Sequence, residues 1–181
     1  IAAAKGITGG RRAFKGALLE GGIGVPFIAR WPGKVLANKV DKTAIFSAVD
    51  LLPTFCEIAG VKLPASYKPD GVSQVKALKG KGSALRDKPL FWKIGAPWPA
   101  RSTKPDHWVS YAVVKQQWKL VTNANRNHLE LFDLVADPYE KNDLKEKNPK
   151  VVKEFLDLLD KWRGSLPAKP TGNVFSNLRT R

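Results

Sequence analysis

The segment from Arg11 to Gly33, RRAFKGALLEGGIGVPFIARWPG, holds the residue types best suited to chemistry. Lys15 is followed by Gly16, then by Glu20, Gly21 and Gly22, and then by an apolar run. A lysine on a glycine-framed loop binds an anion as a point charge. In this reading Gly16 lets another backbone approach closely, and Gly21 with Gly22 permits positive φ for a sharp turn into a strand. Glu20 braces a cation. The competing reading of Lys15 is a solvated surface lysine. Elsewhere the candidates are thinner. Cys56, the only cysteine, falls on the apolar face of an expected helix and reads as a core thiol. His107 sits beside Trp108 in a proline-rich loop, where it is a candidate for binding, and His128 opens an expected strand and reads as structural. One cysteine and two histidines exclude a disulfide framework and a His-rich zinc site. No nucleophile elbow, P-loop or dinucleotide fingerprint is present. The DPYEKNDL run (Asp137 to Leu144) lacks the spacing of a calcium loop and reads as a turn whose Asp and Asn cap backbone groups.

The balance of charge points the same way. The 181 residues carry 31 Lys+Arg and 16 Asp+Glu, a net charge of +15. The excess is +9 in residues 1–90 and +6 in residues 91–181, so it is not a basic tail. A field of this sign concentrates polyanions: nucleic acid, anionic lipid, or a sulfated or phosphorylated substrate. For most of the lysines a solvated surface is the expected role. With 43% hydrophobic and 26% charged residues the chain has a globular balance, and its length fits one domain with an appendage. No apolar run approaches the roughly 18 residues of a membrane span. The start has no signal-peptide pattern and no Met, so residue 1 is expected to lie inside a longer protein.

The elements that must position these residues are punctuated clearly. Residues 1–24 read as loop. Val25 to Trp31 reads as a short buried strand closed by Pro32-Gly33. A helix follows with Asp50 as cap, Pro53 in its first turn, an apolar stripe of Leu51, Leu52, Phe55, Ile58 and Ala59, and Gly60 as stop. Residues 61–88 read as basic loop. Pro89 to Ile94, Val109 to Lys115, Trp118 to Thr122 and His128 to Leu134 read as short strands, the last three as an antiparallel meander. A final helix is capped by Asn148, has Pro149 at its first position, buries Val151, Val152, Phe155, Leu158, Leu159 and Trp162, and stops at Gly164.

The Arg11–Gly33 segment also resembles the type I sulfatase family, the arylsulfatase-like enzymes that hydrolyse sulfate esters. The family pattern is R-x-x-K-G, then E-G-G-x-R-x-P, a strand and W-P-G. Arg12, Lys15, Gly16, Glu20, Gly21, Gly22, Pro26, Trp31, Pro32 and Gly33 match it in order. SAVDLLPTFCEIAGV (Ser47 to Val61) resembles the family's DLxPT…AG helix. AVVKQQWKLV and ELFDLVADPYEKNDL resemble its WKL strand and LYDLxxDPxExxNL turn. Gly24 stands where the family has Arg, and Ala13-Phe14 where it has Gly-Gly.

The resemblance implies an α/β fold: the end of an alkaline-phosphatase-like sulfatase domain over residues 1–88, then a small α+β subdomain over 89–164 with an antiparallel sheet and a C-terminal helix, and a tail over 165–181. It implies that Lys15 contacts the substrate sulfate, on a loop shaped by Arg12, Gly16, Glu20, Gly21 and Gly22; His107 is a candidate for substrate binding only from its place in the proline-rich loop. The family's Cys/Ser-x-Pro-x-Arg nucleophile motif, which becomes formylglycine, is absent here, as are its calcium ligands and catalytic histidines. Calcium therefore belongs to the parent enzyme, no residue here is assigned to a metal, and the chain alone is expected to be inactive. The implied partners are a sulfated small molecule or glycan and the N-terminal part of the same protein, with no membrane contact and a periplasmic or secreted location. The alternatives are a basic nucleic-acid-binding or polyanion-binding module, and a catalytically dead scaffold; buried aromatics and the lack of a recognised module weigh against nucleic acid.

Overall fold

The computed structural model describes residues 7–81, 85–94 and 106–167. The elements in chain order are α1 (Glu20–Ile23), a 3-10 turn (Ala48–Asp50), α2 (Leu51–Ala59), α3 (Val75–Leu78), β1 (Leu90–Lys93), β2 (Tyr111–Lys115), β3 (Trp118–Thr122), β4 (Leu129–Asp133) and α4 (Pro149–Ser165). Most of the proline-rich run and the tail beyond 167 lie outside the described residues.

The four strands form one antiparallel sheet in the order β1-β2-β3-β4, in which the three-strand meander expected from the turn spacing is β2-β3-β4 and β1 is added at the edge of β2. β2 and β3 are joined through Gln116-Gln117, with Lys115 opposite Trp118. Gln116 has φ 51, a sign that tight two-residue hairpins favour because it matches the strand twist.

Both faces of this sheet are covered. On one, Tyr111, Val113, Leu120 and Leu131 pack against Phe155 and Leu159 of α4. The Phe91 and Trp162 rings stack there at 5.0 Å. On the other, Ala112, Val121 and Phe132 pack against Leu18 and Leu19, so the segment that leads into α1 closes the second face. Strands buried on both sides lose polar alternation, which is why β2 and β3 read as near-continuous apolar runs. Each large apolar side chain buried here contributes about 1.5–3 kcal/mol. Pro149 opens α4 at its first position, where its missing N–H costs nothing.

Several expectations are corrected. Val25 to Trp31 forms no strand, and its Val25, Phe27 and Ile28 side chains are exposed, Ile28 by 89%. The pattern of a strand is present without enough neighbours to bury it. For the same reason the apolar stripe of α2 faces outward: Leu52, Phe55 and Ile58 are exposed while Pro53 and Thr54 are buried. Cys56 is therefore half-buried and not a core thiol. Gly60 does end α2 in the left-handed conformation. Asp50 does not cap α2. Its carboxylate accepts from the backbone N–H of Ser47 and Val72 and pairs with the buried Arg86 at 2.6 Å. That pull, stronger than a neutral cap, turns the side chain away from the helix. Asn148 also leaves its cap role, its Nδ2 donating to the Leu144 carbonyl, and Gly164 lies inside the last turn of α4. The expected loops at 1–24 and 61–88 contain the short helices α1 and α3, each a single turn too brief for periodicity to reveal.

Candidate functional site

The stretch from Arg11 to Gly24 folds back on itself and is clamped to the sheet by two cations. Arg12 is the first. Its Nε donates to Asp106 at 2.9 Å and its Nη1 to Glu130 of β4 at 2.6 Å, with the Glu140 carbonyl at 3.5 Å. Burial opposes its charge, but Glu130 and Asp106 outweigh it and raise the guanidinium pKa above its ordinary value. Lys119 of β3 is the second. Its fully buried Nζ donates to Glu20 at 2.9 Å and lies 2.8 Å from Glu140. The Glu20 backbone N–H in turn donates to the Glu140 carboxylate at 2.7 Å. The role read for Glu20, bracing a cation, is realised on Lys119, with Arg11 a further 3.6 Å contact.

The glycines divide their work in the opposite way to the sequence reading. Gly16 is the one with positive φ, +94, and a Cβ there would meet nothing. Gly21 and Gly22 have ordinary φ; a Cβ on Gly21 would lie 2.2 Å from the Ala13 carbonyl oxygen, and one on Gly22 2.1 Å from that of Ala17. They permit close approach of α1 to the loop, sealed by the Gly21 N–H donating to the Arg12 carbonyl at 2.7 Å.

Lys15 sits on the rim of this clamped loop, exposed, and makes no ion pair or hydrogen bond among the described residues. Its chain neighbour Phe14 lies against His107, with ring centroids 5.5 Å apart. Both ring nitrogens of His107 are buried without a hydrogen-bond partner among the described residues. His128 stacks on Trp108 at 3.7 Å, a structural role.

Three acids and one lysine of this site were missed in the sequence: Asp106, Glu130, Glu140 and Lys119. Lys119 had a readable signal, since a charge inside the run WKLV must find a partner. Glu140 lay in the DPYEKNDL turn, whose expected caps are present. Asp137 accepts from the N–H groups of Lys141 and Asn142, and Asp143 from those of Leu131 and Lys145. Among the described residues no group of three or more His, Cys, Asp or Glu could hold a metal ion, so they do not fit a calcium site. No helix of the described residues is long and apolar enough to cross a membrane.

Residues 12–164 match the family model of N-sulphoglucosamine sulphohydrolase, C-terminal. The N-acetylgalactosamine-6-O-sulfatase of Bacteroides thetaiotaomicron is 30% identical over 163 residues, covering 82% of this chain and 29% of that protein. A solved chain from the glycosaminoglycan metabolism of the same organism (BT33336S-sulf) superposes with a TM-score of 0.66 at 30% identity, over 86% of this chain and 32% of that one. Ps i-CgsB, solved in complex with k-i-k-neocarrahexaose, superposes with a TM-score of 0.62 at 25% identity, over 83% and 31%. The chain thus spans under a third of the length of these relatives. With the model spanning both the clamped loop and the sheet it is clamped to, the chain belongs to the sulfatase family, as a C-terminal portion of it.

Proposed function

We propose that this chain forms the C-terminal part of a sulfatase, a sulfuric ester hydrolase acting on a sulfated glycan or aryl sulfate, in which Lys15 contacts the substrate sulfate. The observation that carries the reading is Lys15 itself: an exposed ammonium, unpaired among the described residues, on a loop clamped at Arg12 and Glu20. Cleavage of a sulfate ester builds charge on the non-bridging and leaving oxygens. A fixed positive charge at that place stabilises the transition state more than the ground state. In the same reading His107, which packs against Phe14 next in sequence to Lys15, meets the rest of the substrate. The oligosaccharide bound by Ps i-CgsB supports a sulfated glycan as the substrate class.

In this reading the formylglycine nucleophile and calcium belong to the whole enzyme, held by residues outside this chain, and no described residue has a part in binding the metal. The N-terminal part of the same protein is the partner, and the apolar surface of Phe27, Ile28, Leu52 and Phe55 supports it. Residues 1–88 then end the large domain and 89–164 form the small one, in a periplasmic or secreted enzyme. The test is release of inorganic sulfate by the full-length protein from 4-nitrophenyl sulfate and from sulfated oligosaccharides. Losing one preorganised charge typically costs roughly 10²–10³ in rate, the loss expected for Lys15→Ala. Lys15→Arg rescues poorly, because a planar fork does not replace a compact ammonium. Activity of Lys15→Ala within a few-fold of the unsubstituted enzyme overturns the assignment.

A further inference from the structure

Glu140 stands out because three separate bonds from the loop and its clamp end on this one residue. Its carboxylate accepts from the Glu20 backbone N–H at 2.7 Å and pairs with Lys119 at 2.8 Å. Its carbonyl lies 3.5 Å from Arg12 Nη1. It is fully buried and held at φ 55, a left-handed conformation that is strained for a glutamate. Within the DPYEKNDL turn it is Asp137, not Glu140, that accepts from the backbone N–H groups of Lys141 and Asn142. The glutamate is spent on the loop instead, reaching residues 120 or more positions away in sequence.

We infer that Glu140 is a positioning residue, which fixes the Lys15 loop at its two ends, Arg12 and Glu20, and so sets where the Lys15 ammonium stands. This rests on the reading of Lys15 as the sulfate contact. A loop pinned at one end swings about that pin. Pinned at Glu20 by Glu140 and Lys119, and at Arg12 by Glu130, Asp106 and the Glu140 carbonyl, it presents its tip in a single pose, and Lys15 lies between the pins. Misplacing a catalytic charge by about 1 Å costs up to roughly 10²-fold in rate. Glu140 never meets substrate, so its effect is exerted entirely through Lys15.

The experiment is a double-mutant cycle in the full-length sulfatase, with 4-nitrophenyl sulfate as probe, at a temperature where all variants are folded. Glu140→Gln keeps the size of the side chain and removes its charge. It is expected to lower kcat about 10- to 100-fold, with KM changing less. Combined with Lys15→Ala it is expected to add almost nothing to the loss caused by Lys15→Ala alone, because the residue it positions is gone. If Glu140→Gln fails to fold, Glu140→Asp takes its place, keeping the charge but shortening the reach to Glu20, with the same non-additivity expected. Losses that multiply show a structural role and overturn the inference. So does a Glu140 variant with unchanged kcat beside an impaired Lys15→Ala. If Lys15→Ala itself retains activity, the reading of Lys15 falls first, a result distinguishable from failure of the Glu140 arm alone.

Discussion

Lys119 Nζ lies 2.8 Å from the Glu140 carboxylate, and both side chains are fully buried. Taking two charges out of water costs free energy that their attraction offsets only while both are present. Glu20, on the opposite side of the ammonium, is the third member. Removing the lysine leaves the buried Glu140 carboxylate without its ammonium partner beside Glu20, so Lys119→Met is expected to destabilise the protein by about 3–5 kcal/mol. Glu140→Gln is expected to cost less, since Lys119 keeps Glu20. Urea unfolding of the two variants checks the order; a Lys119→Met protein within about 1 kcal/mol of the unsubstituted one contradicts it.

The contrast among the glycines gives a second test. A methyl group on Gly22 would fall 2.1 Å from the Ala17 carbonyl oxygen, a backbone atom that cannot swing aside. At Gly16 the methyl meets nothing, and the cost is the positive φ alone, about 1–2 kcal/mol. Gly22→Ala is therefore expected to lower Tm more than Gly16→Ala does. Thermal unfolding of both decides it, and the reverse order refutes the assignment of close approach to Gly22.

Two carboxylates set opposite pH dependences. Burial alone would raise the Asp143 carboxyl, but the N–H groups of Leu131 and Lys145, with the Lys145 ammonium, outweigh it and hold it below its ordinary 3.8. Its contribution to stability is present above that value and is lost as pH falls through the folded-state value. Glu140 runs the other way. Burial outweighs Lys119 and raises its carboxyl above 4.5, so its contribution is full below 4.5 and fades as pH rises through the folded-state value. Asp143→Asn is expected to flatten the loss of stability on the acid side, below about pH 4. Glu140→Gln is expected to remove a decline on the alkaline side of 4.5. Denaturant midpoints between pH 3 and 7 report both; curves parallel to that of the unsubstituted protein count against them.

The sheet and α4 were legible because their signals are local. The polar turn at Gln116-Gln117, Pro149 at a helix start and a wide apolar face over Val151 to Trp162 need no knowledge of distant residues. The clamp was not legible, because it joins residues about 100 or more positions apart, Arg12 to Glu130 and Lys119 to Glu20. The glycine roles were inverted because sequence marks where glycine stands but not whether φ or crowding requires it. At Val25–Trp31 and α2 the apolar patterns are present as patterns, yet burial needs neighbours, and the described residues cover them only in part, as where Phe27 stacks on Phe46 at 4.0 Å.

That exposed surface has its own consequence. Val25, Phe27, Ile28, Leu52, Phe55 and Ile58 leave apolar side chains in water, and an exposed apolar surface of this kind recruits another chain. The 181-residue chain on its own is expected to self-associate and to turn over no aryl sulfate, with or without calcium. Replacing Phe27 and Ile28 by Ser or Lys is expected to shift its sedimentation profile toward monomer. A monodisperse monomer before any substitution argues against this surface as a docking face.

The net charge of +15 separates the sulfatase reading from a nucleic-acid-binding module. Charge of this size attracts any polyanion at low salt, and ions compete it away because the Debye length shrinks to about 10 Å at 0.1 M. Binding of heparin and of duplex DNA to the chain is therefore expected at low ionic strength. Both should fall steeply as salt rises, with no preference among DNA sequences, since counterion release depends on phosphate number and not on base identity. Base readout would require side chains reaching groove edges and would leave a component that survives salt. Fluorescence anisotropy with two unrelated duplexes across a salt series tests this. DNA binding that persists near molar salt and favours one duplex would show a nucleic-acid-binding role for this basic surface and overturn this prediction.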